Sequence, residues 1–337
     1  MKKSRLATAL ESGALELPEN GRIGVFLPEP GEDLSMLDQG RAEIIHGFRP
    51  AHDFWRGQGF SVRPEPGGPY AAAIVFVPRS KALAQGLIAA AAKLTEPGGP
   101  VIVDGQKGDG IDSLYKSLRR VLPLSQALSK AHGKLFHFIS DEQTRAALPH
   151  AAGETMPEGF FTTAGVFSAD KVDPGSEMLA EALPERLSGR VADLGAGWGY
   201  LARAVLGRTG VEALDLVEAD HAALECARRN IGDARARFHW ADARRWQPEK
   251  LLDAVITNPP FHEGRAADPG LGREFIAAAA RMLKPSGHLY MVANRHLPYE
   301  ATLRAHFRQV EELPGNGRYK LFHAARPARD RSARKGR

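Results

Sequence analysis

The stretch LIAAAAKLTEPGG at 87–99 returns as FIAAAARMLKPSG at 275–287, an offset of 188 residues. A strand-like run closing on proline precedes each copy, AIVFVP ending at Pro78 and VITNP ending at Pro259, 181 residues apart. A further match follows each, KLFHF from Lys134 and KLFHA from Lys320, 186 residues apart. One alanine-rich helix says little, but three matches in one order at similar offsets mark a duplication. Each half alternates short apolar runs with helical patterns, which argues for α/β sheets with parallel strands. The expected fold is two tandem Rossmann-like α/β domains, and 337 residues are enough for both.

In the first half, 23–27, 72–77 and 101–103 read as strands, and 80–94 and 114–122 as helices. Pro97-Gly98-Gly99 supplies helix-end punctuation. The spacing places a first domain at 1–150, a Pro/Gly/Thr/Ala-rich linker over 149–163, a second domain at 160–326 and a basic tail at 327–337.

The first copy has Phe76-Val77-Pro78-Arg79 where the second has Thr257-Asn258-Pro259-Pro260, so the chemistry is expected in the second copy alone. There, residues 251–257 form a buried strand halted by two prolines, in LLDAVITNPPFHEG. Tandem prolines fix two φ angles and remove two N–H donors, which leaves carbonyls to face a ligand. Asn258, Pro259, Pro260 and Phe261 thus combine a side-chain amide, an unpaired carbonyl and an aromatic ring, a set suited to a flat, amine-bearing substrate. His262 adjoins this loop and reads as a phosphate or solvent contact more readily than as a base.

Upstream, Val191-Ala192-Asp193-Leu194-Gly195-Ala196-Gly197-Trp198-Gly199 runs from a strand into the helix at 201–206. Gly195, Gly197 and Gly199 let the backbone approach a ligand at a helix N-terminus. Asp193 stands where a pyrophosphate would need donors, which departs from the dinucleotide fingerprint. Glu218 closes the next strand, where a doubly wound sheet puts an acid on ribose hydroxyls. Asp242 closes a third strand and is placed to accept from an adenine amine. Glycine loop, acid, acid and Asn-Pro-Pro-Phe follow one another at successive strand C-termini, where open α/β sheets bind ligands.

That order resembles the class I S-adenosylmethionine-dependent methyltransferases. GVFSADKVDPGSEML at 165–179, NPPFHEG, VANRHLPY at 292–299 and GRYKLFHA at 317–324 are similar to the ribosomal RNA guanine-N2 methyltransferases, above all the small-subunit methyltransferase C type. The likeness is strong over about 160–325; the first half shares only the repeat architecture, as a degenerate copy. It implies S-adenosylmethionine as cofactor, held by Asp193, Gly195, Gly197, Gly199, Glu218, Asp242 and Asn258, with Phe167 covering it. It also implies methyl transfer to guanine N2 in 16S ribosomal RNA, with Asn258 Oδ1 and the Pro259 carbonyl as acceptors and Phe261 stacking on an extruded base. Trp198 departs from the pattern, since the family commonly has a smaller residue there; the tail after Arg326 has no family counterpart.

Two other readings stay open: a methyltransferase acting on adenine N6 or a protein glutamine, and a non-catalytic RNA-binding assembly factor. Composition supports a soluble protein with polyanionic partners: 25% charged residues, a net charge of +5 and a pI near 9.3. Arg326, Arg329, Arg331, Arg334, Lys335 and Arg337 face only Asp330 in the tail, either as a solubilising end or as phosphate contacts. Cys226 is alone, which excludes an internal disulfide and makes a zinc site improbable, so no metal is expected. No apolar h-region follows Lys2, Lys3 and Arg5, and no run is long enough to span a bilayer. The expected location is the cytoplasm, with ribosomal RNA or the small ribosomal subunit as partner.

Overall fold

The computed structural model describes residues 4–148, 153–260, 262–263, 266–267 and 269–328. The chain divides into two compact units, Met1–Gly153 with Thr163–Gly165, and Glu154–Thr162 with Val166–Arg337.

The first unit is built on β1 (Ile23–Phe26), β2 (Ala42–Ile45), β3 (Ser61–Arg63), β4 (Ala72–Phe76), β5 (Pro100–Gln106), β6 (Leu128–Lys130) and β7 (Gly133–Ile139). Its sheet runs β3-β2-β1-β4-β5-β7-β6, parallel through β5 and antiparallel across β7 and β6. β1, β2 and β4 are buried at every position, as expected for strands covered on both faces. A small hairpin, β8 (Glu154–Thr155) with β9 (Phe161–Thr162), then opens the second unit inside the stretch read as a linker.

The second unit repeats the design with β10 (Arg186–Leu194), β11 (Thr209–Glu218), β12 (Ala236–Trp240), β13 (Leu252–Thr257), the two-residue strands β14 (His262–Glu263) and β15 (Ala266–Ala267), β16 (Leu283–Asn294), β17 (Phe307–Leu313) and β18 (Tyr319–Pro327). Its sheet order, β12-β11-β10-β13-β16-β18-β17, is that of the first unit taken strand for strand. The repeated alanine-rich segments are the helices Lys81–Leu94 and Pro269–Met282, each the crossover from the fourth to the fifth strand of its sheet. Val191, Leu214, Leu216, Ala254 and Ile256 pack into one core, while Ala192, Leu194, Val217, Val255 and Met291 pack into the other. The period-two alternation therefore buries both faces.

The units differ after their first strand. β10 feeds the glycine loop and the helix Tyr200–Leu206, whereas β1 feeds a helix-free connection through residues 27–41, anchored by buried Leu34 and Leu37. The first unit consequently has no helix N-terminus at that strand end. Its leading helix, Arg5–Glu11, instead buries Arg5 against Asp104 at 2.5 Å.

Three readings of the sequence need correction. The strand expected at 23–27 stops at Phe26, because Leu27 turns left-handed at φ 50°. The helix expected at 114–122 spans Ile111–Leu118, starting after the left-handed Gly110. β2, β3 and the helix Arg49–Gly57 were not expected, because strands of four and three residues are too short to show a period.

Candidate active site

Parallel registry brings the successive strand ends together. Leu194 on β10 lies opposite Val217 on β11 and Thr257 on β13, and Thr257 lies opposite Met291 on β16. Thr257 Oγ1 donates to the Leu194 carbonyl at 2.7 Å, tying the Asn-Pro-Pro strand end to the start of the glycine loop. That loop is turned by Gly195, Gly197 and Gly199, at φ 75°, 54° and 94°. These are left-handed values that side-chain-bearing residues adopt at a cost. A Cβ on Gly195 would fill the space toward Phe275 and the Asn258 carbonyl.

The three acids of this end differ. Asp193 is 0% exposed, and neither of its oxygens has a hydrogen-bond partner among the described residues. Burial, with the charge of Glu218, pushes its carboxyl up to about 8 against the smaller lowering pull of the Ala202 N–H, which does not reach hydrogen-bond geometry. An unmatched buried acceptor of this kind fits a ligand that brings a cation or donors. Glu218 is satisfied within the loop system, accepting from the Gly197 N–H and the Asp220 N–H at 2.8 Å each; burial raises it to about 7 despite those bonds. Asp242 is gripped by Arg244, whose Nε and Nη2 both donate to it, and it also accepts from the Arg244 N–H. An adenine amine would have to share that carboxylate with a guanidinium.

Asn258 is half-buried and its amide is held from a distant segment. Nδ2 donates to Asp173 Oδ2 at 2.9 Å and to Ser176 Oγ at 2.8 Å. Both amide hydrogens are thereby used, and Oδ1 is the atom the side chain has left to offer. Asp173 also caps the helix Pro174–Ala182 by accepting from the Ser176 N–H. Asp-Pro at 173–174 is a local helix-start signal that the reading of the sequence does not use; the partnership with Asn258 has no local signal at all.

Two cavities meet at this point. One, of about 50 Å³, is lined by Gly195, Ala196, Gly197, Trp198, Tyr200 and Ser176. The other, of about 790 Å³, is lined by Pro259, Lys171, Arg295, His296, Tyr299 and Arg318. Phe167, Ser168, Asp173 and Asn258 belong to both. Phe167 is 57% exposed and its backbone carbonyl accepts from Trp198 Nε1 at 2.9 Å. Trp198 itself is buried against Phe160 and Tyr200, so the unusual tryptophan of the glycine loop fastens the Phe167 segment. Asn230 adds a second fastening, with Nδ2 donating to the carbonyls of Phe161 and Trp198.

The two flanking motifs also meet. Arg295 donates from Nε to the Asn316 carbonyl and from Nη2 to the Tyr319 carbonyl, joining VANRHLPY to GRYKLFHA along the wall of the larger cavity. Phe261 and the tail beyond residue 328 lie outside the described residues, as does the side chain of His262. Among the described residues, no group of three His, Cys, Asp or Glu side chains could hold a metal ion, and no helix is long and apolar enough to cross a membrane.

A doubly wound sheet with a left-handed glycine turn, an unmatched buried acid and an Asn-Pro-Pro strand end defines a Rossmann-like methyltransferase. The comparisons agree: residues 158–323 match the methyltransferase small domain and residues 54–151 match the methyltransferase small domain N-terminal family. Ribosomal RNA small subunit methyltransferase C of Shewanella oneidensis is 33% identical over 264 residues, covering 75% of this chain and 77% of that protein. Its counterpart in Shewanella pealeana is also 33% identical, over 262 residues, covering 74% and 75%. The T. thermophilus 16S rRNA N2 G1207 methyltransferase, solved with AdoMet and guanosine, superposes with a TM-score of 0.75 at 25% identity, covering 92% of this chain and 90% of its own. The chain belongs to the ribosomal RNA small subunit methyltransferase C family.

Proposed function

We propose that the two adjoining cavities divide one reaction between them, the smaller holding the methyl donor's side and the larger receiving the acceptor base. The protein is an S-adenosylmethionine-dependent methyltransferase acting on the exocyclic N2 amine of a guanine in small-subunit ribosomal RNA. The observation that carries the division of labour is Asn258, shared by both cavities with its amide hydrogens already engaged.

When bound, the cofactor supplies an electrophilic methyl sulfonium. The protein's part is to make a weak nucleophile attack it. The lone pair of an aryl amine is delocalised into the ring, and acceptors on its two N–H bonds draw the nitrogen toward a pyramidal geometry. Asn258 Oδ1 and the Pro259 carbonyl are the acceptors assigned here, and the prolines keep competing N–H donors out of the turn. The glycine turn and Asp193 are assigned to the donor, with Glu218 at the ribose. Asp242 retains the adenine-side assignment, as a carboxylate shared with Arg244. Phe167 is assigned as cover over both compartments, Phe261 as the stacking ring, and His262 as a contact to the nucleic acid. The remaining acceleration is positional, from holding nitrogen, methyl and sulfur in line.

The first unit, over roughly 1–150, is proposed to hold RNA and not the cofactor. Its missing helix after β1 removes the donor cradle, and a cavity of about 350 Å³ lined by Lys107, Lys130, His132 and Lys134 suits phosphate. A ribosomal RNA substrate makes the cytoplasm the proposed location.

Asn258→Ala tests the reading. Cofactor affinity by calorimetry is expected to stay near wild type, while single-turnover methyl transfer to 16S ribosomal RNA falls roughly 10²–10³-fold, as when one positioned hydrogen-bond partner is removed from a dry site. A wild-type rate would end the assignment.

A further inference from the structure

We infer that Asp173 and Ser176 are positioning residues for methyl transfer, which act by fixing the place and rotational state of the Asn258 amide. The inference rests on the proposed role of Asn258 as an acceptor for the amine and deepens it.

An asparagine amide offers an oxygen on one side and an NH₂ on the other, and a half-turn about its last bond exchanges them. Only one state accepts from an amine; the other presents N–H to N–H. Without partners, the two states of a half-buried amide differ little. Here Nδ2 has two acceptors, a carboxylate oxygen at 2.9 Å and a hydroxyl at 2.8 Å. The carboxylate bond is charge-assisted and is the stronger of the two. Turning the amide over would set Oδ1 against that carboxylate and forfeit its bond. The Ser176 hydroxyl can donate as well as accept and holds the amide's place in either state, so Asp173 sets which state is kept.

The anchor is itself held. Asp173 Oδ2 accepts from the Ser176 N–H at 2.8 Å as the helix cap, so one oxygen serves the helix and Asn258 together. Ser176 is 8% exposed, in the first turn of that helix. Gly175, between the two, leaves room for the Tyr319 ring, which a Cβ would meet at 3.0 Å. The Asp-Pro-Gly-Ser segment thus places two acceptors on the amide of a residue 85 positions away.

The same oxygen takes both bonds at Asp173, and this makes the charge separable from the geometry. Asp173→Asn can present its single amide oxygen in that place, whereas Asp173→Ala cannot. Each variant is made in the full chain, with Ser176→Ala, Asn258→Ala and the double variant Ser176→Ala/Asn258→Ala. Two quantities are measured: affinity for S-adenosylhomocysteine by calorimetry, and the single-turnover rate on 16S ribosomal RNA at saturating cofactor. Ser176→Ala and Asp173→Ala are expected to bind S-adenosylhomocysteine within about threefold of wild type and to react about 10–100-fold more slowly, the loss typical when a supporting partner behind a reacting group is removed. Asp173→Asn is expected to recover most of the rate. The double variant is expected to be no slower than Asn258→Ala alone, because two residues that act through one amide are not additive. Additive losses in the double variant, or an Asp173→Asn as slow as Asp173→Ala, would overturn the inference, the latter by giving Asp173's charge a direct part. Wild-type rates for the Ser176 and Asp173 variants beside a slow Asn258→Ala would sink the inference alone; a fast Asn258→Ala would sink the reading beneath it.

Discussion

Asp193 concentrates the electrostatics of the glycine-loop end. It is fully buried without a hydrogen-bond partner among the described residues, and its carboxyl stands near 8, far above the ordinary carboxylate value. A carboxyl whose pKa is raised on folding keeps a proton that the unfolded chain has lost. The folded state then loses stability as pH rises from about 4 toward 8. Asp193→Asn removes that titration. The melting temperature of wild type minus that of Asp193→Asn is expected to fall by at least ~3 °C between pH 4 and pH 8, measured by calorimetry without cofactor. A constant difference would show that Asp193 is ionised throughout. Affinity for S-adenosylmethionine is expected to fall in the variant by on the order of 1.5–3 kcal/mol, the value of a bond to a charged group.

Elements, more than single residues, shape the larger cavity. The helix Pro269–Met282 carries Gly272 against the ring and hydroxyl of Tyr299, which lines the larger cavity at 1% exposure. A methyl there has no room without moving the ring. Gly272→Ala is expected to destabilise the second unit by about 1–3 kcal/mol in urea unfolding, the usual penalty for overpacking. A gain, as expected for alanine on an unobstructed helix surface, would mean Tyr299 moves freely. The glycine loop shows a parallel dependence on its cover. Trp198→Phe keeps the ring against Phe160 and loses the N–H given to the Phe167 carbonyl. Hydrogen exchange at residues 165–169 is expected to rise several-fold, with global unfolding changed by no more than about 1 kcal/mol. Unchanged exchange would remove Trp198 as a fastening.

Across the whole molecule, the duplication gives two units that share one sheet order. The first unit keeps the seven strands and closes its ligand end differently, through the loop at 27–41 and the buried Arg5–Asp104 pair. Breaking such a pair from one side leaves an unmatched charge, which costs about 3–5 kcal/mol. Its lysines are where the proposed RNA-holding role can be tested. Replacing Lys107, Lys130 and Lys134 by alanine is expected to make the salt slope of RNA binding shallower by about 0.7 for each phosphate no longer neutralised, with cofactor affinity unchanged. An unaltered slope in filter binding would take RNA away from this cavity.

By itself the sequence determined what is local or periodic. Apolar runs marked the longer strands, glycines and prolines marked both loops of the site, and the spaced matches at 87–99 and 275–287 marked the duplication. Each of these signals is written in neighbouring residues, because helix, strand and turn preferences are set by backbone geometry within a few positions. Tertiary structure alone decided which side chains meet. Asp242 and Glu218 look alike as strand-end acids, yet one is claimed by Arg244 and the other by the N–H groups of Gly197 and Asp220. Asn258 is directed by Asp173 and Ser176, more than 80 residues away, and Arg295 reaches a turn 21 residues on. The Asp242–Arg244 contact and the Asp220 N–H bond are local, two residues apart. The reach of Glu218 to Gly197 and the place of Asn258 depend instead on parallel registry at the ends of β10, β11 and β13, and that of Arg295 on the antiparallel pairing of β16 with β18, which no local preference encodes. The hydrogen-bond capacity of each group was legible in its residue type; the partner that uses it was settled only when the sheet closed.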